Sequence, residues 1–522
     1  MYLKQTKRKG RIYLSVMQNY RSGGKVHAKT VENIGYADEF SDRYEDPIAH
    51  FKAYVADLNR QAAERMVPVH LTIPRDAQIA PKESGAVQLG SAIALGYLDA
   101  LGVGRFFNER TAEADSGNPR NPDAGLGRAF ELLVTERMIH AVPVHETWSA
   151  RGKFPRTCGM ELADAYRGFE QIARCERQLV SRLNARYTAI HGERRLESVR
   201  LVFSNYVFAW PGEKSSGGPD EIERHTTHRL CLVIDEAGIP LTYRIVPRHM
   251  TAEETLTVID ELKGESSAEH VTVVAAQLPA AAKVVTQLVA RHEGFVLLMH
   301  ASETTPEQYL WAADDQDYLL TRNKSYRIKS RMADLADPHQ QDKGTGISDG
   351  AEHVKVKEIA LQSTRAQANQ TFFIVSNETA ASNAAIFNIY RELWRVHEPF
   401  QVIAADFIAP PYAVDTQIHL RAHFVICYTA FFALRMLRQD MDWAWNAAQV
   451  ADALVHMEGA YLDENWYLFN YRSRVTDDIQ RTVGVGIGRR LLNRADIRSV
   501  TAQARRRAEH REEPRPDTIG PR

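Results

Sequence analysis

The stretch that decides the fold runs from Val199 to His300. It reads VRLVFSNYVFAW (199–210), HRLCLVIDEAG (228–238), IPLTYRIVP (239–247), HVTVVAA (270–276) and GFVLLMH (294–300). Each run is dominated by β-branched and apolar residues, the composition of strands. Asp235 to Gly238 supplies a turn between the second and third runs. Helical periodicity occupies Ala252 to Leu262 and Pro279 to Arg291, on either side of HVTVVAA. Three antiparallel strands followed by alternating helix and parallel strand predict a mixed α/β core.

Outward from this core, residues 1–80 are expected to form a small basic β-meander and a linker. Ile12, Leu14 and Val16 alternate, and a turn falls at Ser22 to Gly24. Lys4, Lys7, Arg8, Lys9, Arg11, Arg21, Lys25 and Lys29 all precede the first acid, Glu32. That density of one sign suggests phosphate contact, against the alternative of a solvated sheet face. Asp46 to Arg65 is expected to be helical, and Val67 to Pro81 an extended linker. Residues 81–195 have helical periodicity, with Leu95, Leu98, Leu101, Leu132, Leu133 and Ile139 as core candidates. Beyond the first part of the core (196–300), residues 301–380 turn polar and then β-rich. The core resumes over 381–470 with its packing helices, and 471–522 reads as a connector and a disordered charged tail.

The 522 residues are enough for several domains and a large core. Lys and Arg total 65 against 66 Asp and Glu, so a DNA surface has to come from local segregation of charge. Four scattered cysteines argue against a disulfide framework or a zinc site and favour a reducing cytoplasm. No charged-then-apolar leader opens the chain. The apolar run Phe424 to Leu434 is shorter than the roughly 20 residues of a membrane span, and no membrane association is expected.

YRELWRVHEPFQVIAADFIAPPYAV, from Tyr390, followed by HLRAHFVICY from His419, resembles the third catalytic block of the DDE insertion-sequence transposases. The branch in question is marked by Tyr, two residues, Arg, three residues, Glu, six residues, Lys. Tyr390 and Trp394 fit the frame, while Leu393, His397 and Ala404 stand where it has Arg, the catalytic Glu and Lys. The amino-terminal run MYLKQTKRKGRIYLSVMQNYR, the helical block ELLVTERMIH from Glu131 and the hairpin LVIDEAGIPLTYRIVP from Leu232 resemble further blocks of the same family, in the same order. The resemblance implies an RNase H-like catalytic core, with a β-rich insertion before the catalytic Glu and a preceding helical domain that helps to hold transposon ends.

It also implies a two-ion site, in which Mg2+ is held by three carboxylates. The first belongs in a phrase like Asp-Val-Thr-Asn-Tyr, where this chain has Val202-Phe203-Ser204-Asn205-Tyr206. The second belongs in Val-Ala-Asp-Lys-Gly, where it has Val274-Ala275-Ala276-Gln277-Leu278. Val202, Ala276 and His397 therefore occupy the triad positions, and one imidazole does not replace three carboxylates around Mg2+. Glu398 and Asp406 are the fallback acids. Glu398 is rotated by about 100 degrees from the expected position on a helix, and Pro399 interrupts that helix. Asp235 and Asp220 lie in turn-like contexts. The expectation is a transposase-family protein, catalytically inactive through loss of its metal site, that binds double-stranded DNA at a transposon-end-like site, with no cofactor. The alternatives are an active transposase using Mg2+ with displaced carboxylates, and an inhibitor that pairs with an intact relative; a homodimer or heterodimer fits either.

Overall fold

The computed structural model describes residues 1–8, 10–22, 25–41, 44, 46–64, 71, 85–114, 125–140, 142–156, 158–209, 227–278, 281–299, 304–321, 326–334, 355–364, 371–397, 417–462, 465–484 and 486–509. The chain is mixed α/β and divides into two compact units, Met1–Ala77 and Gln78–Arg522.

The first unit is an antiparallel sheet of β1 (Tyr2–Arg8), β2 (Arg11–Ser22) and β3 (Lys25–Tyr36), followed by helix α1 (Pro47–Glu64). Gly10, at φ +82°, takes the left-handed conformation in the tight turn that sets Arg8 opposite Arg11. The β2–β3 register shifts at Leu14/Ser15 and again at Val16/Met17, and the run Leu14, Ser15, Val16, Met17 is buried throughout. A simple alternation would have buried only every second one. Asp46 Oδ1 accepts from the amides of Ile48 (2.9 Å) and Ala49 (3.0 Å) and so caps α1. Asn59 fastens α1 to the start of β1, donating to the Met1 carbonyl at 2.9 Å and accepting from the Met1 amine at 2.6 Å.

The second unit begins with β4 (Ala86–Gln88) and the helices α2 (Leu89–Leu101), α3 (Val103–Ala114), α4 (Leu126–Ile139), α5 (Val144–Ala150), α6 (Leu162–Arg174) and α7 (Glu176–His191). There follow β5 (Ser198–Ala209), β6 (Thr227–Asp235), β7 (Pro240–Pro247), α8 (Ala252–Ser266), β8 (His270–Ala275), α9 (Ala281–Ala290) and β9 (Gly294–Leu298). Helix α10 (Pro306–Ala313) leads to β10 (Leu319–Leu320), β11 (Tyr326–Asp334), β12 (Lys355–Ser363) and β13 (Thr371–Ser376). The remainder is α11 (Asn383–His397), α12 (Gln417–Asp440), α13 (Ala447–His456), β14 (Glu458–Tyr461), β15 (Trp466–Phe469), α14 (Arg474–Val483), β16 (Leu491–Asn493) and α15 (Arg494–Glu509).

The central sheet has the order β10-β11-β12-β13-β9-β8-β5-β6-β7. β5, β6 and β7 are successively antiparallel, whereas β8 pairs parallel to β5 and β9 parallel to β8. Strand alternation sends Val199, Leu201, Phe203, Val271 and Val273 into a core closed by Ile259 and Leu262 of α8 and Val284 and Leu288 of α9. Val202, Leu232, Val274 and Val296 face the other way, into a core shared with Ile386, Phe387 and Tyr390 of α11 and with α12.

Within residues 301–380, β13 pairs antiparallel with β9 and carries β12, β11 and β10 into the central sheet. Leu95, Phe130 and Phe169, from residues 81–195, belong to the same apolar cluster as Val202 and Tyr428. One expectation needs correction. The region read from Arg489 as a disordered tail contains β16 and α15, where Ile497, Val500, Ala504 and Ala508 form one buried stripe. Residues 510–522 and, apart from Leu71, the expected linker at Val67 to Pro81 lie outside the described residues. Gly96 of α2 lets α15 approach closely, for a Cβ there would collide with Ala504. A four-stranded sheet, β16-β15-β14-β4, has no counterpart in the sequence expectations.

Among the described residues, one helix, α12, is long and apolar enough to cross a membrane, and 94% of its apolar window is buried inside the protein. It is the central helix of the larger core. All four cysteines are free and buried.

Candidate functional site

The three positions expected from sequence to be those of the triad, Val202, Ala276 and His397, fall on β5, directly after β8 and on α11. Val202 lies opposite Leu232 on β6 and beside Val274 on the parallel strand β8. It is not at the end of its strand, since β5 continues to Ala209. Ala276 follows β8 directly. Val202 is fully buried and Ala276 8% exposed, and both belong to the apolar cluster that includes Ile386, Phe387 and Tyr390 of α11. Helix α11 packs across β5, β8 and β9 and ends at His397, whose backbone alone is described.

Immediately after Val202 the strand becomes irregular. Its register with β6 shifts between Phe203 and Val207, and the Ser204 hydroxyl accepts from the Leu230 amide at 3.2 Å. Where β8 ends, the buried Arg229 guanidinium donates to the Gln277 carbonyl (2.5 Å) and the Arg248 carbonyl (2.7 Å). Burial, and then the charge of Arg248, lower its pKa to about 10, so it remains a cation at neutral pH. The neighbourhood of the second carboxylate position thus carries a fixed positive charge.

Neither Val202 nor Ala276 has an atom that can ligate a hard cation, so these residues do not fit a two-ion site. Among the described residues, no group of three His, Cys, Asp or Glu side chains could hold a metal ion. The fallback acids Glu398 and Asp406, and Asp220, lie outside the described residues. Asp235 has a structural part: its carboxylate accepts from the Ile239 amide (2.8 Å) and from Arg194 Nε (2.8 Å), with both side chains 5% exposed. A buried ion pair of this kind fixes the hairpin turn.

In the first unit, Lys4, Lys7, Arg8, Arg11 and Lys29 are exposed. Cross-strand register divides them. Lys4 lies opposite Ser15 and Arg8 opposite Arg11, on the face that also carries Tyr13, whereas Lys7 lies opposite Ile12 on the other face. Arg8 sits over the Tyr13 ring at 4.5 Å and Arg11 over Tyr36 at 4.1 Å, and the two rings meet edge to face at 5.1 Å. Arg11 is held by Asp38 (2.6 Å) and Glu39 (3.1 Å), a pairing that raises its pKa and lowers that of Asp38. It is therefore less available to a phosphate than Lys4, Lys7 or Arg8. Lys9 and the side chains of Arg21 and Lys25 lie outside the described residues.

The comparison with curated proteins finds no match. Residues 3–69, which span the basic sheet and α1, match the family described as IS1634 family transposase, N-terminal domain. That similarity, carried by the unit with the clustered cations, supports an insertion-sequence transposase as the kind of protein this chain is.

Proposed function

We propose that this chain is a transposase-family DNA-binding protein that no longer cuts DNA, built on an RNase H-like core whose metal triad is lost at Val202, Ala276 and His397. One observation carries the reading: Val202 on β5 and Ala276 directly after the adjacent parallel strand β8 lie on the face covered by α11, and both are buried apolar side chains. What supports the fold is the strand order, with three antiparallel strands extended by β8 and β9 in parallel beside β5, and α11 crossing that sheet. What supports DNA as partner is the transposase match over residues 3–69 together with the exposed Lys4, Lys7, Arg8 and Lys29. The protein acts in a reducing cytoplasm, in keeping with its free, buried cysteines. The proposed domain boundaries are those at 80, 195, 300, 380 and 470.

The reading is tested by selecting duplexes from a random pool with the full chain. A recovered motif bound at least about 1,000-fold more tightly than bulk DNA is the expected result for specific recognition. Binding with no sequence preference would reject the transposon-end reading.

A further inference from the structure

The end of α2, the first turns of α3 and α4, the segment after α5 and helix α15 line a hollow of about 370 Å3. Its walls include Asp99, Arg105, Arg128, Glu131, Arg156 and Arg505. Glu131 is the buried anchor, its side chain 5% exposed, accepting from Arg128 Nη1 at 2.8 Å and from Arg156 Nη1 at 3.1 Å. Asp99 takes the other side of Arg156, at 2.8 Å from Nη1. Gly104 is what admits the Glu131 carboxylate, because a Cβ at that position would collide with Oε1.

These acids fix Arg128 and Arg156 without neutralising the rim. Arg505 is paired with Glu509 at 2.9 Å. Arg105 lines the hollow, and Arg182 places Nη2 3.8 Å from where a Cβ of Gly102 would stand. Neither Arg105 nor Arg182 has an ion-pair partner among the described residues. With Arg186, which also approaches Glu509 at 3.8 Å, six guanidiniums meet three carboxylates, and the uncompensated cations include Arg105 and Arg182, whose planar forks match a phosphate. Two such cations on different helices, Arg105 on α3 and Arg182 of α7 beside Gly102, fit successive phosphates of a strand better than one small anion.

We propose that this hollow is a second DNA contact, with Arg105 and Arg182 taking backbone phosphates of duplex DNA while Glu131 and Asp99 hold Arg128 and Arg156 as its floor. The inference rests on the DNA-binding reading above.

The experiment titrates a short fluorescent duplex with the full chain between about 50 and 200 mM salt. Arg105→Ala with Arg182→Ala is expected to weaken binding on the order of tenfold and to lower the slope of log affinity against log salt by about 2. Lys at both positions should restore most of the slope. Arg105→Ala alone should give about half the change, and it covers the case in which the double variant misfolds. Unchanged affinity and slope in a folded variant would overturn the inference and leave the DNA reading standing. Failure of the unmutated chain to bind duplex DNA would remove both. Inorganic phosphate that raises the thermal midpoint only when Arg105 and Arg182 are present, with DNA affinity indifferent to them, would assign the hollow to a small anion instead.

Discussion

Val202 is fully buried, in the apolar cluster that also holds Val274, Ile386 and Tyr390. Reinstating an acid there is therefore a packing problem before it is a catalytic one. Val202→Asp is expected to destabilise the protein by about 3 kcal/mol or more in chemical denaturation, because an unpaired carboxylate would be buried. Mg2+ should not recover the loss; recovery by Mg2+ would mean that a metal site survives in latent form. A second residue-level test concerns Glu136 on α4, half-buried near the exposed ion pair of Lys153 and Glu458 (2.9 Å). Burial first, and then Glu458, raise its carboxyl to about 7, against the opposing charge of Lys153. A carboxyl raised in the folded state binds its proton more tightly there than in the unfolded chain. Stability from this group is thus present at low pH and is lost as pH rises from about 4.5 through about 7. Glu136→Gln should be more stable than the unmutated chain by about 1 kcal/mol near pH 8, allowing for partial exposure, and nearly equal to it near pH 5. An offset independent of pH would contradict the shift.

At the scale of elements, the helix α15 separates what composition says from what periodicity says. Residues 494–509 are full of charge, and an average over them suggests disorder, but Ile497, Val500, Ala504 and Ala508 recur at helical spacing and all are buried. Gly96 opposite Ala504 completes the signal only once the two helices are known to cross, which no local pattern contains. Truncation after Arg489 is accordingly expected to leave the protein insoluble or unfolded, as measured by circular dichroism and gel filtration. A truncated chain with unchanged stability would restore the tail reading. Gly96→Val should cost about 1–3 kcal/mol through the same crossing. The core strands were legible for the opposite reason. VRLVFS and VTVVAA are buried on both faces, and such runs stand out in the sequence. Strand β13 was legible as a strand, but its pairing with β9 was not, because register and neighbour are set by contacts between residues far apart in the chain.

For the whole molecule, the two units are expected to contribute separately to DNA affinity. Replacing Lys4, Lys7 and Arg8 by Ala should flatten the salt dependence by about one unit for each phosphate that is no longer engaged. Arg11→Ala should change it least, since Asp38 and Glu39 already hold that guanidinium. A slope unchanged by the triple variant would leave the amino-terminal charge with solubility alone. The near-zero net charge gave no hint of a nucleic-acid partner, and the clustering before Glu32 did. The arginines around Glu131 were invisible in sequence because Asp99, Arg156 and Arg505 are brought together only by the helical packing. Whether the chain binds DNA without cutting it is decided by strand cleavage of supercoiled plasmid and of selected duplexes by the purified full chain with Mg2+ or Mn2+. Intact substrate at every metal concentration is the expected result. Metal-dependent nicking or strand transfer that disappears in Glu398→Ala would contradict it and establish a displaced triad.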